Sequence, residues 1–144
     1  MGIPKSNLKI YKYPVRRFDE YRQEILENLI QIKKEFDPDL VFVPSTKDIH
    51  QDHSVISREG IRAFKRKKIL GYEEPWNNIE IENKFFIKLT KDNIEKKIEA
   101  LNCYESQKGR NYVDKEFIWS LSKVRSTQIG VKYAESFEII RWVL

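Results

Sequence analysis

Apolar and polar positions fall into short blocks of two different periods along the 144-residue chain. Leu8-Lys9-Ile10-Tyr11-Lys12-Tyr13 alternates apolar and polar side chains, which predicts a half-buried strand ended by Pro14. From Phe18 to Phe36 the period lengthens. Phe18, Tyr21, Ile25, Leu29, Ile32 and Phe36 form one apolar stripe, the pattern of an amphipathic helix. Asp37-Pro38-Asp39 stops that helix, because a proline disfavours helical geometry in the residue before it. Leu40-Val41-Phe42-Val43 is a continuous apolar run and predicts a strand covered on both sides.

Pro44 to Asp52 then reads as a polar loop, followed by a second helix from His53 to about Lys67. Ile69-Leu70-Gly71-Tyr72 is a short strand candidate, and Glu73 to Glu82, with Pro75, Trp76 and two asparagines, is a loop. Phe85 to Leu89 predicts another strand. Helical stripes return over Asp92–Glu105 (Ile94, Ile98, Leu101, Tyr104) and Asp114–Gln128 (Phe117, Leu121, Val124). The tail from Phe137 to Leu144 is β-branched and aromatic, and predicts a last strand. Helices alternating with short apolar strands predict an α/β fold with a parallel-type sheet flanked by helices. No repeat or linker interrupts it, so residues 1–144 are expected to form a single domain. Nothing near the start supplies an apolar first strand with a functional turn behind it, so the domain is expected to be incomplete at its N-terminal side.

Composition narrows the class. Hydrophobic residues make up 40% and charged ones 34%, ordinary for a soluble globular protein. No run approaches the roughly 20 apolar residues a membrane span needs. Met1-Gly2-Ile3-Pro4-Lys5 lacks an apolar leader core. The lone Cys103 excludes an internal disulfide and a cysteine zinc cluster, and is expected as a small buried hydrophobe on a helix. These points favour the cytoplasm. The net charge of +5 is concentrated at Lys65-Arg66-Lys67-Lys68. That run is expected as the solvated end of the second helix, where cations suit the helix C-terminus. No nucleic-acid motif accompanies it, so nucleic acid is not an expected partner.

The chemistry concentrates in one hexapeptide. The chain has only two histidines, and both lie in Asp48-Ile49-His50-Gln51-Asp52-His53, between a predicted strand and a predicted helix. In α/β sheets the loop beyond a strand's carboxyl end is where ligands normally bind. Imidazoles and carboxylates at this density fit a metal or acid–base site. They also fit a plain helix start, with Asp52 as N-cap.

Pro38-Asp39-Leu40-Val41-Phe42-Val43-Pro44 followed by Asp48-x-His50-x-Asp52-His53 resembles a signature of the PIG-L/LmbE family of N-acetylglucosaminyl deacetylases. Lys97 to Gln107 resembles that family's lysine-led helix ending in Ser-Gln, and Tyr133-Ala134-Glu135-Ser136-Phe137-Glu138 resembles its closing Tyr-Ala-Glu-x-Phe segment. The three lie in the family's order. The resemblance implies a Rossmann-like fold and a zinc-dependent hydrolase that removes an N-acetyl group from an amino-sugar derivative. It implies His53 as a zinc ligand and His50 beside the substrate carbonyl, stabilising the oxyanion as imidazolium. A positive group suits that place, because charge develops on the oxygen in the transition state. Asp48 or Asp52 is then expected to orient an imidazole.

One departure from the family is informative. Its Ala-His-Pro-Asp-Asp-Glu motif, the source of two further zinc ligands and the general base, has no counterpart here. A catalytic zinc takes three protein ligands and water. The chain is therefore expected to be the C-terminal portion of a deacetylase, inactive without a complementing N-terminal portion, and prone to associate with itself through exposed sheet. The alternative is a non-catalytic binding or interaction protein on the same scaffold. Pro75-Trp76-Asn77-Asn78 is either part of a sugar pocket or a packed surface excursion.

Overall fold

The computed structural model of the chain describes residues 3–143; Leu144 of the expected last strand, and Met1 and Gly2, lie outside them. In chain order the regular elements are α1 (Arg22–Phe36), β1 (Leu40–Pro44), α2 (Gln51–Ala63), β2 (Lys68–Tyr72), β3 (Phe85–Lys88), α3 (Lys91–Asn102), α4 (Lys115–Thr127) and β4 (Ala134–Arg141). The strands form one sheet in the order β1-β2-β4-β3. β1 and β2 are parallel, with Leu40 opposite Lys68 and Pro44 opposite Tyr72. β2 and β4 are antiparallel, with Gly71 opposite Glu138 and Tyr72 opposite Phe137. The sheet is thus mixed, which corrects the parallel-type expectation. Apolar runs report burial but carry no strand direction, and both kinds of pairing read alike in sequence.

The chain divides into two compact units. One takes Tyr11–Phe85 with the described residues from Phe137 onward; the other takes the described residues up to Ile10 with Phe86–Ser136. In the first, Leu26, Val43, Ala63, Phe64 and Ile69 form the buried core, with Leu29, Ile30, Val41 and Ile140 packed on it. Val41 and Val43 therefore face α1 and α2, and Phe42 between them must face the other way. There Phe42, Phe137, Phe85 and Trp142 make a row of ring contacts, 5.2 Å from Phe42 to Phe137 and 5.2 Å from Phe85 to Trp142. Phe42 remains 45% exposed, so β1, at the end of the sheet order, is not covered on both sides as expected. α2 carries a fully buried carboxylate, Glu59, paired with Arg22 and Arg62.

In the second unit α3 starts with a capping box. The Thr90 hydroxyl accepts from the Asn93 N–H, and the Asn93 side chain accepts from the Thr90 N–H. Asp114 caps α4 by accepting from the Phe117 N–H at 2.6 Å. Ile94, Ile118 and Ala134 are buried there, and Lys97 forms an ion pair with Glu135.

Several local expectations are corrected. Leu8–Tyr13 is not a strand, and Leu8 and Ile10 are exposed. The long helix begins at Arg22, because Phe18–Tyr21 is taken up by turns. The second helix begins at Gln51 and ends at Ala63, so the basic run lies beyond it. Lys67 instead pairs with Asp37 at 2.7 Å, and Lys68 lies over the Trp142 ring at 5.4 Å. Cys103 is the exposed residue that closes α3, not a buried hydrophobe. No helix among the described residues is long and apolar enough to cross a membrane.

α2 comes close to β1 at Gly60, where a Cβ would lie 2.7 Å from Val43 Cγ1. Gly60→Ala would gain helix propensity of about 1 kcal/mol, against overpacking of about 1–3 kcal/mol. The expected outcome is net destabilisation in urea melts. Val43→Ala in the same chain should relieve it, so that the two changes together are less damaging than their sum. Additive effects would contradict the close packing.

Candidate functional site

The site grows from the end of β1. Ser45 continues the strand by donating its N–H to the Tyr72 carbonyl at 2.9 Å, and the Asp48 N–H closes a turn back onto the Ser45 carbonyl at 3.1 Å. The Asp48 carboxylate is almost completely buried and faces the start of α2. Its Oδ1 accepts the His50 N–H at 2.8 Å, and its Oδ2 lies 2.8 Å from His53 Nδ1. The Ser54 hydroxyl donates to the Asp48 carbonyl at 2.9 Å. One aspartate thus ties the loop to the first turn of the helix.

His50 is the N-cap of α2, and its Nδ1 accepts the Asp52 N–H at 3.2 Å. That bond uses the Nδ1 lone pair and leaves Nε2 as the protonated nitrogen, a donor pointing away from the helix start. His53 is held the opposite way round. Its Nδ1 faces the Asp48 carboxylate, which can only accept, so that nitrogen carries a proton. The two rings stack at 4.4 Å with 26° between their planes.

Asp52 points elsewhere. It is buried, and its carboxylate accepts the Arg16 N–H at 2.6 Å and the Phe18 N–H at 3.3 Å. Arg16 has a φ of 67°, the left-handed region, and the Asp52 bond holds it there. The Asp52 carboxylate therefore anchors the segment before α1, and only the Asp52 backbone N–H meets an imidazole, that of His50. Asp48, His50 and His53 come together; Asp52 shares their helix turn but not their cluster.

A fourth group joins them that the hexapeptide did not announce. Glu74 Oε2 lies 3.4 Å from His53 Nδ1, and ligand atoms of Asp48, His53 and Glu74 fall within 4.8 Å of one another. The loop after β2 is stitched to the loop after β1. The Ile49 N–H donates to the Asn77 carbonyl at 3.1 Å, and Asp48 and Asn78 form an isolated bridge. Asn78 Oδ1 accepts the Glu74 N–H at 2.9 Å, and Asn77 Nδ2 donates to Glu74 Oε2 at 3.1 Å. The signal for Glu74 lay in the pairing. β1 and β2 are parallel, so their carboxyl ends open at the same sheet edge, and a carboxylate two positions past Tyr72 belongs to the search.

Burial sets the electrostatics. It raises the Glu74 carboxyl above its ordinary range; His53 pulls it back down, and the Asp48 charge pushes it up. The Tyr72 phenol is pushed up to about 12 by burial, with Glu74 and Asp48 adding to the effect.

One imidazole and two carboxylates suit zinc or another divalent ion in donor chemistry. Tetrahedral donors about 2.1 Å from zinc sit about 3.4 Å apart. The 3.4 Å between His53 and Glu74 Oε2 is instead measured at Nδ1, the nitrogen that also faces Asp48. The 2.8 Å His53–Asp48 contact is shorter, a hydrogen bond. His53 is thus held by one nitrogen and free at the other, the arrangement usual for a metal-binding histidine.

No protein-family model matches the sequence, and no curated protein matches it either. Solved structures do. The chain is similar to the N,N'-diacetylchitobiose deacetylase of Pyrococcus horikoshii, with a TM-score of 0.69 and 22% identity over 92% of this chain and 57% of that one. It is similar to the zinc-inhibited form of the teicoplanin deacetylase Orf2, at 0.66 and 17% over 93% and 57%. It is also similar to the 4-carboxy-2-hydroxymuconate hydratase of Pseudomonas putida, at 0.65 and 17% over 85% and 60%. The chain shares an α/β fold with two deacetylases and a hydratase. It spans about 57–60% of the length of these proteins.

The Glu74 environment has a pH signature. Because burial raises its pKa in the folded chain, that chain holds the proton more tightly than the unfolded one does, so stability falls as pH rises from the ordinary value of 4.5 to the folded value. Glu74→Gln keeps an acceptor for Asn77 and removes the charge. It should leave stability unchanged below about pH 4 and raise it increasingly above, reaching a plateau near neutrality. Urea melts across pH 3.5–7.5 (about four units of range) test this. Equal effects at both ends would show that burial is not what governs Glu74.

Proposed function

We propose that this chain carries part of the metal site of a hydrolase of the PIG-L/LmbE type, a zinc-dependent N-deacetylase acting on an N-acetylated amino-sugar derivative. The carrying observation is the Asp48–His53 couple, at the start of the helix that follows a sheet strand. The likeness to two deacetylases supports the same reading, and the Rossmann-like topology expected from sequence goes with it. The hydratase likeness is a reminder that the fold alone does not select the reaction. The residues at the site select it here.

In this reading His53 binds zinc through Nε2, and Asp48 fixes its ring and tautomer. The Glu74 carboxylate lies beside this couple, 3.4 Å from His53 Nδ1, as a further oxygen donor. Zinc bound there supplies Lewis acidity for attack of water on an amide. His50 presents Nε2–H toward the amide oxygen, where negative charge develops, and the N-terminus of α2 adds a favourable partial charge. Asp52 holds the Arg16–Phe18 segment in place beside the start of α2. In this reading the catalytic base and the remaining ligands would be supplied by a complementing N-terminal portion bearing the Ala-His-Pro-Asp-Asp-Glu motif.

Calorimetric zinc titration of this chain, alone and with an added N-terminal portion bearing Ala-His-Pro-Asp-Asp-Glu, tests the reading. One zinc should bind more tightly in the completed form, and His53→Ala should weaken binding by more than about tenfold. The completed form should hydrolyse an N-acetylglucosamine derivative, and its His53→Ala version should not. Hydrolysis that survives His53→Ala would refute the assignment.

A further inference from the structure

A further buried carboxylate, on a strand far away in sequence, has no role in the chemistry above. Glu138 of β4 is 9% exposed. Its Oε2 accepts from the Ser45 hydroxyl at 2.8 Å and from the Thr46 N–H at 2.8 Å, and its Oε1 accepts from the Thr46 hydroxyl. The residue opposite Glu138 is Gly71, where a Cβ would lie 2.9 Å from Glu138 Oε2 and 3.1 Å from Ser45 Cα. The carboxylate therefore occupies space that only a glycine leaves open. All three donors belong to Ser45 and Thr46, the first residues after β1, and Ser45 in turn receives the Asp48 N–H on its carbonyl.

We infer that Glu138 is a positioning residue: through Ser45 and Thr46 it fixes the turn that aims the Asp48 carboxylate, and so holds His53 in the tautomer with its proton on Nδ1. The physical reason is the cost of the alternatives. A buried carboxylate needs every donor it can collect, so the turn cannot drift without leaving the charge unsatisfied. The turn is as rigid as the bonds to Glu138. Asp48 is three residues further on, and its side chain decides which nitrogen of His53 is protonated. The inference adds to the metal reading the statement of what aims the ligand, and rests on that reading only for its consequence on metal affinity.

Histidine nitrogen NMR provides the test. The chain has two histidines, so two rings give the whole spectrum. At pH 8 the wild-type chain should show one ring protonated on Nδ1 (His53) and one on Nε2 (His50), assigned with His50→Ala. In Glu138→Ala the Nδ1-to-Nε2 tautomer ratio of His53 should fall by about tenfold, as expected for a weakened charge-assisted hydrogen bond. Glu138→Gln keeps shape but places an N–H donor against the Ser45–Thr46 donors, and Thr46→Val deletes one bond from the other side; both should give smaller shifts in the same direction. If Glu138→Ala does not fold, these two variants decide. Leu26→Ala, a core change remote from the loop, should lower stability without moving the ratio. A His53 ring that stays protonated on Nδ1 in folded Glu138 variants overturns the inference. A tautomer that responds to Glu138 while zinc affinity is indifferent to His53→Ala would instead remove the metal reading and leave the positioning role standing.

Discussion

The site depends on one buried charge. Asp48 has almost no exposed side-chain surface, and an ionised carboxylate in that position is tolerable only if its oxygens are paired. The His50 N–H takes one oxygen and His53 Nδ1 takes the other. Satisfying that charge forces the chain to turn after β1, start a helix at Gln51 and bring a second imidazole back over the first. The orientation of both rings follows from the folding of the loop, before any ligand is present. Preorganisation of this kind is what a metal site or an oxyanion donor needs, because reorganisation on binding is what weakens both.

Two aspartates four positions apart have divided the work. Asp48 lies in the loop and faces the histidines. Asp52 lies in the first helical turn, so its side chain leaves on a different side and captures the N–H groups of Arg16 and Phe18. The histidines are divided in the same way. His50 accepts a backbone proton on Nδ1 and presents a donor; His53 gives its Nδ1 proton away and presents an acceptor. A donor and an acceptor stacked 4.4 Å apart can serve a carbonyl and a metal, tasks that two equivalent imidazoles would not separate.

What the sequence disclosed follows the range of the forces involved. Stripes and caps act over one or two turns, so α3 and α4 appear within three residues of their expected bounds, with Thr90 and Asp114 as caps. β1 and β2 were legible as apolar runs, and the loop at the end of β1 as the place where both histidines and Asp48 lie together. What failed depended on distant partners. Leu8–Tyr13 has the alternation of a strand, but alternation needs a sheet to bury one side, and Leu8 and Ile10 stay exposed. Asp52 looked equal to Asp48 because spacing says nothing of which way a side chain leaves a helix turn. Glu74 was hidden because the segment after β2 reads as a polar loop, and only its bonds to the loop after β1 bring the carboxylate to Asp48 and His53. Cys103 was expected as a small buried hydrophobe, but it falls at the exposed end of α3, which residue type alone does not disclose.

The antiparallel β4 explains why a mixed sheet suits this site. Two parallel strands open both of their loops at one edge, which brings Glu74 to Asp48, but leaves the loop after β1 without support from below. A strand running the other way beside β2 places Glu138 opposite Gly71, at the level where β1 gives way to the loop. The missing side chain at Gly71 leaves room for the carboxylate to reach past β2 to Ser45 and Thr46. A larger residue at position 71 would fill that channel and separate β4 from the loop it supports. The glycine in β2 is thus a condition of the geometry at Asp48, although it touches neither histidine.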